Sequence, residues 1–342
     1  LAANTTGARN IAIGHSALDG QDTETDNIAI GFEAMTNNNA GGTDNIAIGT
    51  YALDALTSGD FNVAIGKNAM TDATTALRNV AIGRETLANL TIGHDNIAIG
   101  QQAIQTATEG LYNVGVGYYA LQALTTGDYN MAYGNEAGVV ITEGVQNVLM
   151  GGFAGREITT GDNNICLGYN TGRTGTPGGE ITTGDNTLRI GDQNIANSHV
   201  QVDWTVASDK RDKTDVKPAK MGLDFVNKLE PVTYHWDKRT KYTSLDDLES
   251  GKTSLSNVVH DGTHKEDWTD IGFLAQDVEK LENEYGHKLE DKSNLTFKRS
   301  DDDAYGLTYA KFVPILTKAI QELSTKNDSL ETSNQALIAR IE

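Results

Sequence analysis

Runs of the form Asn-apolar-Ala-apolar-Gly punctuate the first half of the chain. Asn10-Ile11-Ala12-Ile13-Gly14 returns as Asn27-Ile28-Ala29-Ile30-Gly31, Asn45-Ile46-Ala47-Ile48-Gly49 and Asn62-Val63-Ala64-Ile65-Gly66. Further copies begin at Asn79, Asn96, Asn113, Asn130, Asn147 and Asn164. Successive copies lie 17 residues apart, with one step of 18 between Asn27 and Asn45. A degenerate eleventh copy covers 186–191. Apolar positions alternate within each run, which predicts a short strand, and the closing glycine permits the positive φ of a turn. Three residues later comes a small residue followed by Leu, Met or Ile, as in Ala17-Leu18, Ala52-Leu53 and Ala120-Leu121. This predicts a second inward-pointing segment. A polar turn follows, often Gly-Asp, as at Gly59-Asp60, Gly127-Asp128, Gly161-Asp162 and Gly184-Asp185.

One such unit cannot bury its own apolar face, whereas stacked copies build a continuous core. The pattern therefore predicts an all-β repeat rod, a parallel β-solenoid or β-roll, over residues 1–191. Ten coils at the strand spacing give a rod on the order of 50 Å. The aligned asparagines are placed to form a hydrogen-bonded ladder along it. Cys166 falls at the alanine position and reads as a small buried hydrophobe. Gly138, Gly155 and Gly172 stand where other copies have Leu or Met, so the core must narrow or change partners there. Residues 173–179, with Pro177, read as a loop insertion.

Beyond residue 191 the period is lost. Val200, Val202, Trp204 and Val206 alternate with polar residues, predicting a connecting strand within 192–207. A helix is expected from about Lys217-Pro218, with Met221, Leu223, Phe225, Val226 and Leu229 on its apolar face. A strand is expected from Pro231 to Trp236, a polar excursion over 238–269, and a strand passing into a helix from Ile271 to Val278. The last helix, over 309–342, carries Leu316, Leu323, Leu330 and Leu337 at d and Ile320, Asn327, Asn334 and Ile341 at a, almost four unbroken heptads. Either a coiled coil or an amphipathic helix packed on its own domain accounts for this pattern. β-Branched residues at a with Leu at d are commonest in parallel dimers.

Composition narrows the function. The 342 residues carry a net charge of -20, with only 27 Lys and Arg, so no basic face for nucleic acid is expected. Residues 1–207 hold 21 acidic and 7 basic side chains, and 208–342 hold 26 and 20. A single cysteine excludes an intrachain disulfide and argues against a thiolate zinc site, so neither metal nor cofactor is expected. No apolar run reaches the length of a membrane span, and no membrane insertion is expected. The repeated turn aspartates read as structural.

Candidate chemistry lies at the seam. Ser208 stands five residues before Lys213, directly after the connecting segment. A serine and a lysine form a nucleophile and its base when the amine is neutral, which desolvation or a nearby cation such as Arg211 or Lys210 would favour. Attack by Ser208 on the Ala207 carbonyl avoids the strained ring that attack on its own carbonyl would need. Asp209 either orients the amine or caps a turn. Gln276 either donates to an oxyanion or packs within its own segment.

Two resemblances follow from these residues. The Asn-x-Ala-Ile-Gly unit resembles the head repeats of YadA-like trimeric autotransporter adhesins, which are β-rolls assembled as trimers. Ser208-Asp209-x-Arg211-x-Lys213, Leu229-Glu230-Pro231-Val232-x-Tyr234-x-Trp236, Ile271-Gly272-Phe273-x-Ala275-Gln276-Asp277-Val278-Glu279, Tyr309 and Ala319-Ile320-Gln321-Glu322-Leu323 occur in that order. Together they resemble the peptidase S74 intramolecular chaperone domain that ends many phage tail fibres and tailspikes. The resemblance implies an α+β chaperone domain over 208–308 with its C-terminal helix at 309–342, a homotrimer, and self-cleavage with Ser208 as nucleophile and Lys213 as base. It also implies a virion fibre or spike that meets a host surface receptor, glycan or protein. A bacterial cell-surface adhesin with the same chaperone, or a polysaccharide-degrading tailspike, are the alternatives.

Overall fold

Each Asn-led run forms a three-residue strand in the computed structural model, from β1 (Ile11–Ile13) through β10 (Ile165–Leu167) to β11 (Leu188–Ile190). The eleven strands stack in chain order into one parallel sheet, each in register with the next. The structure describes residues 5–341 except 21–22, 38–40, 177, 196–197, 200, 202–204, 245–246, 249, 290–293 and 299–303. Two units result, Leu1–Asn197 and Ser198–Glu342.

Volume decides which side of each strand faces in. The middle residue, most often alanine as at Ala98, is buried in every strand but the first and the last, while the flanking apolar residues are turned outward. The inward space at the strand is narrow because Leu, Met or Ile from the second segment fills the coil, as do Leu53, Met70 and Ile104. Those large residues sit at positive φ, 52° at Leu53 and 49° at Ile104. L-residues pay roughly 1 kcal/mol or more there, so the burial and hydrogen bonding of the stack must over-determine them. The closing glycine is required on two counts. Gly66 has φ 143°, and a Cβ on it would lie 2.2 Å from the Gly83 carbonyl oxygen of the next coil.

The asparagine ladder forms as the sequence predicts. Asn96 Oδ1 accepts from the Asn113 backbone N–H at 2.9 Å, and its Nδ2 donates to the Gly110 carbonyl at 2.7 Å. The ladder ends one residue later than the repeat suggests. Thr187, not Asn186, donates to Asn164 Oδ1, while Asn186 takes the left-handed position that precedes each ladder residue. The last step of the ladder spans 23 residues where the one before it spans 17. That longer step explains the slip, because strand pairing rather than residue type sets the register. A threonine ladder accompanies it: Thr57, Thr74 and Thr91 each donate from Oγ1 to the backbone carbonyl of the next threonine. The turn aspartates Asp60, Asp128, Asp162 and Asp185 accept backbone N–H groups of the preceding coil, which is a structural role.

At Gly138 and Gly155 the core changes partners. Leu149 replaces alanine at the strand centre and fills the room on both sides: a Cβ on Gly138 would lie 2.6 Å from Leu149 Cδ1, and one on Gly155 2.5 Å from Leu149 Cδ2. Cys166 is buried in the next strand, and burial pushes its thiol up to about 11. Arg189 then stands in register with Cys166, and its Nη1 donates to the Gly179 carbonyl of the inserted loop. A charged side chain therefore ends the apolar column. Pro177 of that loop lies outside the described residues.

The second unit is a small α+β assembly. Val200, Val202 and Trp204 of the expected connecting strand lie outside the described residues, and its end, 205–207, joins no strand. Helix α1 (Leu223–Lys228) begins later than Lys217-Pro218. Its first N–H is capped at 2.7 Å by Glu322 Oε2, a partner distant in sequence. β12 (Val232–Tyr234) pairs antiparallel with β13 (Asp270–Gly272), which leads into α2 (Ala275–Glu284). β14 (Thr296–Lys298) and β15 (Tyr305–Leu307) form a hairpin that periodicity did not announce. Buried Glu282 of α2 holds it, accepting from Thr296 N at 3.0 Å and Thr296 Oγ1 at 2.6 Å. Helix α3 (Phe312–Ile338) has two apolar faces. Phe312, Ile315 and Ala319 are buried, the first two in a core with Met221, Phe225, Val278 and Leu281. The heptad face, Leu316, Ile320, Leu323, Leu330 and Leu337, is exposed. Among the described residues, no helix is long and apolar enough to cross a membrane, and no group of three His, Cys, Asp or Glu is placed to hold a metal ion.

Candidate active site

A single 3₁₀ turn, Lys210–Asp212, brings Ser208 and Lys213 together. Asp209 caps it: its Oδ1 accepts from the Arg211 N–H at 2.8 Å. The Lys213 N–H donates to the Lys210 carbonyl at 3.3 Å and closes the turn. The intervening chain is thereby folded back, and Lys213 Nζ lies 2.6 Å from Ser208 Oγ. The same amine lies 3.3 Å from the Ser208 carbonyl oxygen. A hydroxyl and an amine at that distance are within proton-transfer reach.

The neighbouring charges are arranged differently from the sequence expectation. The Asp209 carboxylate binds the Arg211 guanidinium through Nη2 at 2.6 Å and Nε at 3.1 Å. This pairing holds the Asp209 carboxyl below its usual range and raises Arg211. Of the two roles open to Asp209, the structure has it capping the turn. Arg211 has its charge balanced within the turn, so it is not the bare cation that would disfavour a protonated lysine. Ser208 and Lys213 are both exposed in the single chain. Desolvation, the other route to a neutral amine, must come from outside this turn.

Gln276 sits in the first turn of α2 with its side chain exposed, so neither packing nor a contact to the dyad is seen for it in one chain. The other motif residues assemble into a packing centre. Tyr234 stacks edge-on to Trp236, and Trp236 Nε1 donates to Asp270 Oδ2 at 3.1 Å. Tyr309 Oη accepts from the Phe273 N–H at 3.2 Å, and a Cβ on Gly272 would lie 2.5 Å from that same Oη. These residues shape the unit, while Ser208 and Lys213 stand apart on its surface. A shallow cleft lined by Tyr242, Asp247, Lys252 and Val258 belongs to the polar excursion and includes neither.

Residues 208–287 match the model of the peptidase S74 family, described as chaperone of endosialidase. The match begins at Ser208 itself and takes in β12, β13 and α2. No curated protein and no solved structure matches the chain. The second unit is thus similar to a chaperone-of-endosialidase domain, and it follows a β-solenoid.

Proposed function

We propose that this chain is a segment of a viral tail fibre or spike that attaches to a host surface. In this reading its C-terminal unit draws three copies together, guides folding of the solenoid, and then releases itself by cutting at Ala207–Ser208. The observation that carries it is the 2.6 Å approach of Lys213 Nζ to Ser208 Oγ at the first residue of the family match.

The chemistry is an acyl shift followed by hydrolysis. Ser208 Oγ attacks the Ala207 carbonyl carbon while Lys213 Nζ takes the hydroxyl proton. The tetrahedral adduct collapses by breaking the Ala207–Ser208 C–N bond, and the lysine gives its proton to the departing Ser208 amine. Water then splits the resulting ester, leaving a carboxylate on Ala207 and the free hydroxyl on Ser208. The lysine must start neutral, and the single chain leaves it in solvent. Burial at an interface between copies would supply the missing desolvation, so cleavage waits for assembly.

Support for assembly comes from α3. Its heptad face is exposed along the helix while a different face packs on the domain. The a-position asparagines Asn327 and Asn334 make this a weak, register-setting zipper, suited to a unit that is released. The chaperone resemblance favours three strands over two. A rod of stacked parallel strands is prone to slow folding and register slips, which gives C-terminal nucleation a physical purpose.

The test is denaturing intact mass beside Ser208→Ala and Lys213→Arg, with oligomeric state from light scattering. Wild type should form trimers and split at Ala207–Ser208. Both variants should form trimers and remain whole, since an arginine cannot serve as the base. Trimers that stay intact in wild type would end the protease reading and leave a retained assembly domain.

A further inference from the structure

One column of side chains on the solenoid carries residues that folding does not call for. The residue before each ladder residue takes the left-handed conformation, from Arg9 (φ 59°) to Asn186 (φ 58°). Asp26, Asp44, Asp95, Asn163 and Asn186 are of the types that enter this region most readily. The arginines of the column are held by ion pairs, Arg9 with Asp26 and Arg78 with Asp95. Tyr112 and Tyr129 have neither justification. Both are bulky residues at φ 58°, yet they are 43 % and 56 % exposed, so burial does not offset the strain.

Their geometry makes a platform. The two rings stack 4.9 Å apart and 11° from parallel, and His94 of the preceding coil meets Tyr112 edge-on at 5.3 Å. Tyr129 ends the stack. Tyr112 covers one of its faces, so its exposure belongs to the ring edge and to the face turned towards the next coil. There the column continues in amides. The Gln146 N–H donates to the Asp128 carbonyl at 3.0 Å and the Asn163 N–H to the Val145 carbonyl at 2.9 Å, which fixes both in the column. Asn163 Nδ2 donates to Asn186 Oδ1 at 2.8 Å. Among the described residues, the exposed Gln146 amide and Asn163 Oδ1 have no hydrogen-bond partner.

We infer that Tyr129, Gln146 and Asn163 form a binding site for a neutral saccharide. A pyranose has a face of C–H bonds and a rim of hydroxyls. The face stacks on Tyr129, and the hydroxyls bond the two amides, which both donate and accept. Charge selects against anionic sugars and nucleotides: Asp128 and Asp162 directly precede Tyr129 and Asn163, and the chain carries a net charge of -20. The hydrogen-bonded stack of coils holds the site preformed, so binding has little backbone to order. The inference rests on the attachment reading above and names the chemistry that the rod recognises.

Saturation-transfer NMR on the full-length chain tests this, with maltohexaose, cellohexaose, mannohexaose and chitohexaose as probes. Adherence of the fluorescently labelled chain to Gram-negative and Gram-positive cells is measured alongside. At least one probe should receive saturation at its ring C–H protons. Tyr129→Ala should weaken that binding roughly tenfold and Tyr129→Phe, which keeps the face, by less than about twofold. Gln146→Ala should weaken it roughly threefold. Phe61→Ala should leave it unchanged, because the neighbours of Phe61 in the column are Asp44 and Arg78 instead of amides. Tyr129→Asn, suited to the left-handed position, takes the place of Tyr129→Ala should that variant fail to fold. A probe bound equally by wild type and Tyr129→Ala overturns the site and leaves attachment through sugars standing. Adherence to cells with no probe bound means a protein receptor, which overturns the inference and keeps the attachment reading. Neither binding nor adherence removes both.

Discussion

Leu149 offers the sharpest test of how the solenoid core is built. In most coils a large residue comes from the turn and alanine from the strand, as with Leu121 and Ala132. Around Leu149 the assignment is reversed, with glycine at 138 and 155. Leu149→Ala removes a fully buried side chain and should cost about 4 kcal/mol, within the range for leucine deletions that leave a cavity. Gly138→Leu alone should cost about 2 kcal/mol, because even its Cβ would fall 2.6 Å from Leu149 Cδ1 and overpack the core. The double variant rebuilds the common pairing. It keeps a void towards Gly155 and left-handed strain at position 138, so about 2 kcal/mol of loss should remain. Simple addition would give about 6, so the coupling is about 4 kcal/mol, far outside the few tenths seen for independent sites. The assay is guanidinium unfolding by far-UV circular dichroism at one protein concentration, since assembly makes stability concentration-dependent. A double variant as unstable as the two singles combined would refute the volume-exchange account.

Other consequences are open to direct measurement. Asn96→Ala orphans the buried Asn113 N–H and Gly110 carbonyl, so it should cost about 2–5 kcal/mol in the same assay, whereas Thr91→Ala on the outer ladder should cost under about 1.5. The Arg78 guanidinium and His94 hold the Asp95 carboxyl at about 2, below its ordinary 3.8. A depressed folded-state value means that the pair's stabilisation is present above pH 3.8 and lost as pH falls through about 2. Wild type and Asp95→Asn should therefore differ in denaturation midpoint at pH 6 and converge at the acid end of a titration. A difference that persists unchanged below pH 2 would contradict this. Asp209→Ala should slow self-cleavage roughly fivefold to tenfold by loosening the capped turn, leave oligomeric state unchanged, and be rescued by Asp209→Asn, which keeps the acceptor. If Asp209→Asn is as slow as Asp209→Ala, the cap is not what positions the dyad.

Much of this protein was legible because its information is local and repeated. Coil boundaries, the asparagine ladder, the structural turn aspartates and the Ser208/Lys213 spacing all lie within one period or one turn of chain. The heptad face of α3 was readable for the same reason, though not the second face through which Phe312 and Ile315 pack. The β14–β15 hairpin was missed because its strands are short and are held by Glu282, a buried carboxylate on another element. The start of α1 was misplaced because its cap comes from Glu322 instead of a neighbour in sequence.

The amino-acid pattern by itself therefore determined the period, the parallel stack, the helix seam and the candidate dyad. Each is a matter of spacing, and spacing survives without knowledge of distant partners. Tertiary structure decided which side of each strand is inside, where Leu149 finds room, that Thr187 closes the ladder, and that Arg211 is bound to Asp209. Those outcomes depend on volumes and charges meeting across coils and turns. An alternating run has two faces of equal claim until the space beside it is filled.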